Sequence, residues 1–481
     1  MQTNVPPAAR QLTAAGEGME LDRLSCDRAR RSHDARFDGR FFIAITTTRI
    51  YCRPICPSPP AKYENVRYYP TAASAEAAGY RPCLRCRPEA SPGTPAWSGT
   101  SGLVSRALRM INDGALDSDD VESFADRLGV TGRHLRRLFL EHLGSTPHQI
   151  ALTRRLHFAK KLLDETTLPM HEVAYASGFG SLRSFNNQIQ QTYSRSPTQV
   201  RGLARRHVVS DPECYRFRLA YRPPFDWHGM LRFFEECAIP GVELVHEGQY
   251  RRTISLGDKT GVIAVSKHEI HGELTVEVRF PESRALLYIV ERVRRMFDLA
   301  ADPVVLDEHL SIDPLLQSRM RANPGIRIPG TWDGFELAVL AILGQRTAPP
   351  AAAFSADRLS VLFGCPVQDS GGLERAFPSA EQLVHAPIEQ ADIGAEAAQA
   401  IRLLAAQVVS GAISLNSCLD GHATAVELAK IPGISRLTAE YISMRALGEP
   451  DAFPLDEAAG SECWRPWRAY AAMLLWRDRL V

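Results

Sequence analysis

Apolar residues recur at two different periods along the 481 residues of the chain. From about Leu103 to Arg206 they return at the spacing that lines one face of a helix. Between about Glu213 and Arg279 the pattern shifts to alternating, strand-like segments such as RFRLAY, GVIAVS and LTVEVRF. Near Arg284 the helical period returns and runs to Val481, broken by Pro and Gly turns. Upstream, Leu21 to Glu89 mixes short strand-like runs such as RFFIAITTT with proline-rich turns, and ASPGTPAWSGTSG (Ala90–Gly102) has linker composition. The shifts predict a multidomain fold, mainly α with α+β parts. The expected boundaries are a disordered lead-in over 1–20, a small cysteine-bearing α/β domain over 21–90, a linker over 91–102, a helical domain over 103–206, a strand-rich α+β domain over 207–283 and an all-α domain over 284–481.

Composition narrows the class. An apolar fraction of 45% with 23% charged residues is that of packed globular protein, which excludes a mainly disordered chain. No apolar run reaches the length of a membrane span, because ELAVLAIL is short and carries Glu336. The first residues, MQTNVPPAARQLTAAGEG, lack the apolar centre of a secretion signal. The expected location is therefore cytoplasmic, with no membrane partner. Thiols stay reduced there, so paired cysteines point to metal or catalysis rather than disulfides. The net charge of +1 hides an asymmetry: Ser123 to Arg206 carries 13 Lys/Arg against 5 Asp/Glu, as a nucleic-acid surface would.

Four cysteines stand in two close pairs: Cys52 and Cys56 in CRPIC, Cys83 and Cys86 in CLRC, with 26 residues between the pairs. Two thiol pairs on two tight loops match a tetrahedral Zn2+ site with four thiolates. Arg49, Arg53, Arg81, Arg85 and Arg87 crowd the same segment. A purely structural zinc knot has no need of such a rim, whereas a thiolate that meets a phosphate backbone does. The other six cysteines are scattered and are expected to fill cores.

Within the helical region, VESFADRLGVTGRHLRRLFLEHLG reads as helix, tight turn at Gly129, helix. MHEVAYASGFGSLRSFNNQIQQTYSRSP repeats the plan with its turn at Gly178–Gly180. Each unit has a small residue in its first helix (Ala125, Ala174) and an apolar residue after the turn (Val130, Phe179). A polar second helix follows, suited to the major groove of double-stranded DNA. Arg133, His134, Arg136 and Arg137 in the first unit, and Ser181, Arg183, Ser184, Asn186 and Asn187 in the second, are the candidate DNA contacts. The region resembles the AraC-type DNA-binding domain over about 100 residues, most specifically in Gly178–Phe185 and Ser196–Pro197. An activator of this kind implies RNA polymerase as a partner.

The segment DARFDGRFFIAITTTRIYCRPICPSPPAKYENVRYYPTAASAEAAGYRPCLRC resembles the N-terminal domain of the Ada family of adaptive-response methyltransferases over nearly all of residues 26–89. The resemblance implies self-sacrificing repair of DNA methylphosphotriesters, with Cys52 as methyl acceptor and Cys52, Cys56, Cys83 and Cys86 as zinc ligands. Arg49 departs from the pattern, since the family usually has Gly there. The chain contains no Pro-Cys-His-Arg run of the O6-alkylguanine methyltransferases, so that repair is not expected.

The C-terminal half carries IPGTWDGFELAVLAILGQRT and, later, LAKIPGISRLTAEYISMRALGEPDAFPLD. Ile431–Ser435 reads as a hairpin between two helices, with Gly433 for the sharp turn and backbone N–H groups near Ser435 for a phosphate. With FPSAEQL and WRPWRAYAAMLLW the region resembles the 3-methyladenine DNA glycosylase II family over about 213–481. The resemblance implies an all-α helix-hairpin-helix domain, a flipped base held by Tyr441 and Trp476, and a carboxylate near Phe453–Pro454. That carboxylate is Glu457, with Asp456 beside it, where the family has Asp. One extra methylene moves the charge by about 1.5 Å, enough to disturb catalytic geometry. Leu437 replaces a pocket Trp, AAGSEC is short where a helix is usual, and GQRTAPP introduces Pro349–Pro350. These departures are expected to weaken excision.

The combined expectation is an alkylation-response protein that transfers a methyl group irreversibly from DNA to a zinc-bound cysteine, activates transcription, and ends in a glycosylase-like module. The rival expectation is a transcription regulator with purely structural zinc and a catalytically inactive glycosylase-like DNA-binding module. A second rival is a repair enzyme whose helix-turn-helix only adds DNA affinity.

Overall fold

The computed structural model describes residues 23–92, 102–203, 214–268, 272–368, 371–416, 420–456 and 461–477. The expected lead-in over 1–20 lies outside the described residues, as do Glu457 and the linker residues 93–101. The chain divides into two compact units, residues 1–157 with 186–197, and residues 158–185 with 198–481. Among the described residues no helix is long and apolar enough to cross a membrane.

The first unit opens with helix α1 (Arg23–Arg31) and a four-stranded sheet of β1 (Phe42–Ile45), β2 (Ile50–Cys52), β3 (Val66–Tyr69) and β4 (Arg81–Pro82), in the order β3-β1-β2-β4. The β1–β2 and β1–β3 pairs are antiparallel, and β2–β4 is parallel. Helix α2 (Ala72–Ala77) starts at a capping box of Thr71 and Ser74 and buries Ala72 and Ala75 against Phe42, Tyr51 and Tyr80. The sheet carries the thiols on one end and this apolar cluster under one face.

Helices α3 (Gly102–Asn112), α4 (Ala115–Ser118), α5 (Val121–Arg127) and α6 (Gly132–Leu143) follow, and then α7 (Pro147–Glu165), whose residues are shared between the two units. Val104, Ile111, Phe124, Ala125, Leu135 and Phe139 form the core of this bundle. Asp120 caps α5 by accepting the Ser123 N–H at 2.8 Å, and Thr131 caps α6. Gly129 at φ +71° makes the turn, where any side chain would be strained. The second reader unit is α8 (Met170–Ala176) and α9 (Leu182–Tyr193), followed by α10 (Pro197–Arg201), which begins on the proline of the Ser196–Pro197 pair. The two turns share one hydrogen bond: Val130 N–H donates to the Ala125 carbonyl at 3.1 Å, and Phe179 N–H to the Ala174 carbonyl at 3.0 Å. The second turn needs only one of its two glycines, because Gly178 has φ +81° whereas Gly180 has no left-handed conformation.

In the second unit β5 (Tyr215–Ala220), β6 (Glu243–His246), β7 (Gln249–Leu256), β8 (Lys259–Lys267) and β9 (Glu273–Arg279) form an antiparallel sheet in the order β5-β9-β8-β7-β6, with α11 (Trp227–Cys237) between β5 and β6 in sequence. The helical remainder consists of α12 (Leu286–Met296), α13 (Pro303–Leu310), α14 (Pro314–Ala322), α15 (Gly334–Gly344), α16 (Pro349–Phe363), α17 (Ala380–Leu383), α18 (Ala395–Val409), α19 (Gly421–Leu428), α20 (Arg436–Ala446) and α21 (Arg468–Arg477). A two-stranded pairing of Cys365–Pro366 with Arg375–Ala376 means that this region is not wholly helical. Glu336, the charge inside ELAVLAIL, meets Arg252 of β7 at 2.7 Å, so the apolar helix carries it as one half of a buried ion pair. Burial pushes the Glu336 carboxyl up, to about 7. Pro349 and Pro350 occupy the first turn of α16, where missing N–H groups cost nothing, so they open a helix.

Candidate metal centre and DNA-reading surfaces

The sheet brings the two cysteine pairs together. The parallel register Ile50↔Arg81 and Tyr51↔Pro82 puts Cys52 and Cys83 abreast at the strand ends, and the Cys83 N–H donates to the Tyr51 carbonyl at 2.9 Å. A tight turn, with Cys56 N–H donating to the Arg53 carbonyl at 3.1 Å, folds Cys56 back beside them. On the other loop the Arg87 N–H donates to the Cys83 carbonyl at 3.1 Å and returns Cys86. All four sulfurs lie within 4.8 Å of one another. Ile45 and Ile50 pack against them. Tetrahedral zinc with Zn–S bonds of about 2.3 Å sets sulfurs about 3.8 Å apart, so this donor set fits zinc. Two backbone amides support the negative sulfurs: Arg53 N–H points at Cys86 Sγ and Arg85 N–H at Cys83 Sγ, each at 3.4 Å.

Four thiols this close cannot all shed protons without a cation. A hydrogen bond with Cys56 pushes the Cys52 thiol up, and the same bond pulls Cys56 down. Cys83 is lowered to about 6 by its bond with Cys52, and Cys86 is raised by its bonds to the other three. This uneven sharing of protons is what a divalent ion replaces with four equivalent thiolates.

The arginine rim is smaller than the sequence suggests. Arg53 is buried, ion-paired to Asp38 through Nε at 2.9 Å and through its terminal nitrogen, and donates to the Cys86 carbonyl at 3.2 Å. It braces the thiol loops. Arg87 pairs with the buried Glu89 at 3.3 Å. Arg49, Arg81 and Arg85 remain exposed. Arg49 sits at φ +56°, the left-handed conformation that favours glycine, and its guanidinium lies 4.8 Å from the centre of the Tyr80 ring. The Asp38 partner was hidden in DARFDGR, because nothing in spacing marks a carboxylate that pairs 15 residues away.

On α6, Arg133 is exposed, Arg136 is tied to Glu122 of α5 at 2.9 Å, and Arg137 lies 3.3 Å from Glu141 and 3.2 Å from the His134 ring. On α9, Arg183, Asn186 and Asn187 are exposed, while Ser181 caps the helix by accepting the Ser184 N–H at 3.2 Å. Phe179 and Phe185 meet edge to face beneath them, ring centres 5.6 Å apart. The cation count also shrinks. Lys160 with Asp164, and Lys161 with Glu165, are buried pairs along α7, and Arg154 pairs with Asp117.

In the second unit Gly433 takes φ +92° in the hairpin. Ser435 caps α20 through the Thr438 N–H at 3.1 Å, and its own N–H donates to Gln345 Oε1 at 2.8 Å. Gln345 Nε2 also donates to the Gly433 carbonyl at 2.7 Å, so one side chain straps the hairpin from 88 residues away. Tyr441 and Trp476 do meet, edge to face with ring centres 5.7 Å apart. The Tyr441 hydroxyl lies 2.6 Å from Arg445 Nη1, an i, i+4 pairing legible from spacing alone. Asp456 is exposed, Leu437 is half-buried, and a short 3-10 turn at Ser461–Trp464 stands where a helix is usual in the family. Of the scattered cysteines Cys26 is buried, Cys214, Cys237 and Cys365 are half-buried, and Cys463 is exposed beside Asp313, so core filling does not describe them all.

A four-thiol centre on a small sheet, two helix-turn-helix units and a sheet-plus-helix half with a hairpin define a DNA-directed regulator and repair class. Family models agree: "Metal binding domain of Ada" matches residues 25–89, "Helix-turn-helix domain" matches 124–202, and "AlkA N-terminal domain" matches 216–333. A Mycobacterium tuberculosis protein described as "Probable bifunctional transcriptional activator/DNA repair enzyme AlkA" is 38% identical over 481 residues, covering 95% of this chain and 97% of that one. Escherichia coli DNA-3-methyladenine glycosylase 2 is 28% identical over 54% of this chain and 96% of its own. The E. coli bifunctional transcriptional activator/DNA repair enzyme Ada is 31% identical over 39% of this chain and 53% of its own. The chain belongs to the family of bifunctional transcriptional activator/DNA repair enzymes.

Proposed function

We propose that the chain removes methyl groups from DNA methylphosphotriesters onto Cys52 and, once methylated, activates transcription through its helix-turn-helix region. The observation that carries this reading is the convergence of Cys52, Cys56, Cys83 and Cys86 within 4.8 Å on an Ada-type domain. Zinc, when bound, keeps the four sulfurs deprotonated at neutral pH. Cys52 supplies the nucleophile: its sulfur forms a bond to the methyl carbon while the carbon–oxygen bond of the triester breaks. The electron pair leaves on the phosphate oxygen as an ordinary diester, so no proton donor is needed. Cys56, Cys83 and Cys86 hold the loop geometry, and exposed Arg49, Arg81 and Arg85 offer charge to the DNA backbone. The thioether cannot be turned over, which makes the event a single-use signal. Exposed Arg133, Arg183, Asn186 and Asn187 are the side chains offered to DNA, with Arg137 available once it leaves Glu141, and RNA polymerase is the partner such an activator would recruit at the nucleoid.

The second unit adds a glycosylase-like module. Support for base capture comes from the Tyr441–Trp476 pair. Arg445 works against it, because its guanidinium lies 5.3 Å from the Tyr441 ring centre and a cationic alkylated base approaching that ring meets a like charge. Excision of 3-methyladenine is therefore expected to be weak, with Asp456 or Glu457 as the carboxylate and Gly433 and Ser435 at the phosphate contact.

The decisive test is mass spectrometry of the full chain after incubation with methylphosphotriester-containing duplex. One added CH2 unit mapped to Cys52, abolished by Cys52→Ser, is the expected result. An unmodified Cys52 beside repaired DNA would falsify the assignment. Release of free 3-methyladenine from alkylated DNA by the same sample measures the second activity separately.

A further inference from the structure

The residue before the proposed acceptor has an unusual set of partners. Alternation along β2 sends the Tyr51 side chain to the face opposite Cys52, where it is fully buried against Phe42, ring centres 5.8 Å apart. Its hydroxyl donates to Glu76 Oε1 of α2 at 2.8 Å and lies 3.2 Å from His157 Nε2 of α7. The other oxygen of Glu76 accepts from the Thr153 hydroxyl of α7 at 2.7 Å. Glu76 thus has one carboxylate oxygen on the strand that carries Cys52 and the other on the long helix that follows the first reader unit. A second fastening lies nearby, where Thr71 Oγ1 at the start of α2 meets the Leu143 carbonyl at the end of α6 at 3.2 Å. Through its main chain Tyr51 also touches both thiol loops: it leads directly into Cys52, and its carbonyl holds the Cys83 N–H.

We propose that Tyr51, Glu76, Thr153 and His157 form a latch that transmits the state of the thiol centre to α7 of the DNA-reading region. Methylating Cys52 turns a thiolate into a bulkier neutral thioether at the end of β2. A strand clamped by a buried, directional hydrogen bond moves with its partner, because a polar group enclosed away from water cannot give up that partner without loss. A displacement at Cys52 therefore reaches Thr153 through two hydrogen bonds and one carboxylate, and His157 directly from the Tyr51 hydroxyl. A layer held by apolar contacts alone would let β2 slide. The sequence marks none of these residues, because a Glu in an alanine-rich helix and a Thr and His in a basic one read as ordinary surface positions.

The latch rests on the methyl-transfer reading only for its physiological trigger, so the test perturbs the centre in two ways. Zinc-loaded full chain, as wild type, Tyr51→Phe and Thr153→Val, is methylated with methylphosphotriester duplex or, separately, stripped of zinc with a chelator. Backbone hydrogen exchange is then followed over residues 147–157. In wild type both treatments should change exchange there by about threefold or more, as expected when local opening is altered. Both variants should keep stoichiometric zinc and wild-type transfer rates yet respond less than about half as much. An equal response in all three proteins overturns the latch. So does loss of zinc or of transfer in Tyr51→Phe, since the hydroxyl would then serve the centre itself. Absence of a methyl adduct in wild type counts against the transfer reading alone, and the chelation arm still decides the latch.

Discussion

Asp298 accepts a 2.8 Å hydrogen bond from the Tyr470 hydroxyl and a 3.3 Å bond from the Ile328 N–H, yet burial pushes its carboxyl up to about 6 from the ordinary 3.8. The folded protein therefore holds this proton through a window, about pH 4 to 6, in which the unfolded chain has released it. Its contribution is present below that window and is lost as pH rises through it. Asp298→Asn should remove the dependence. The variant's stability relative to wild type should rise between pH 4 and 7, by up to about 3 kcal/mol. The urea midpoint followed by tryptophan fluorescence checks this, and a difference that stays flat with pH refutes it. The fluorescence suits the purpose, since Trp227, Trp332, Trp464, Trp467 and Trp476 are five of the six tryptophans and all belong to the second unit. At this scale the thiol centre was legible because close pairs of one rare residue type have few readings. Buried pairs such as Arg252 with Glu336, 84 residues apart, were not. Their charges look like surface charges until a fold brings them together.

The helix-turn-helix turns show which parts of an element a sequence pattern specifies. Both units were legible from the small residue, the glycine and the following apolar residue, and Ala125 and Ala174 are indeed fully buried. The exact turn in the second unit was not, because GFG offers two glycines and only backbone angles tell them apart. The distinction has a measurable consequence. Gly129 has φ +71° with nothing within 4 Å of an added Cβ, so Gly129→Ala introduces backbone strain and no clash. It should destabilise the first reader unit by about 1–2 kcal/mol. Gly180→Ala has neither strain nor neighbours within 4 Å and should change stability by less than about 0.5 kcal/mol. Thermal melts of the two variants should separate accordingly, and equal melts would remove the assigned turn. In the strand half β5 and β9 follow the alternation of RFRLAY and LTVEVRF, whereas GVIAVS marked β8 as a strand although five consecutive residues of it, Gly261 to Val265, are buried, and β7 was not singled out. The Cys365–Pro366 pairing was missed because two residues are too few for any period to register.

Across the whole molecule, 56 Lys/Arg against 55 Asp/Glu leave almost no net attraction for DNA, so affinity must be local and easily tipped. The reader's surplus of 13 over 5 shrinks once Arg136 and Arg154 are assigned to Glu122 and Asp117, acids outside that stretch, while Lys160 and Lys161 cancel against Asp164 and Glu165 within it. Four thiolates around one divalent ion carry about −2, and methylation of Cys52 makes that about −1. One charge about 6 Å from a phosphate in water-like surroundings is worth about 0.7 kcal/mol. Two phosphates inside the Debye length then give roughly a tenfold gain in affinity at low salt. Fluorescence anisotropy with a duplex should show methylated protein binding about tenfold tighter at about 50 mM salt, and the gap should close near 1 M, where the screening length falls to about 3 Å. A gap that persists at high salt cannot be electrostatic. It would have to arise from a change in the reader itself, and Tyr51→Phe should then erase it, whereas a purely electrostatic gain should survive that substitution intact.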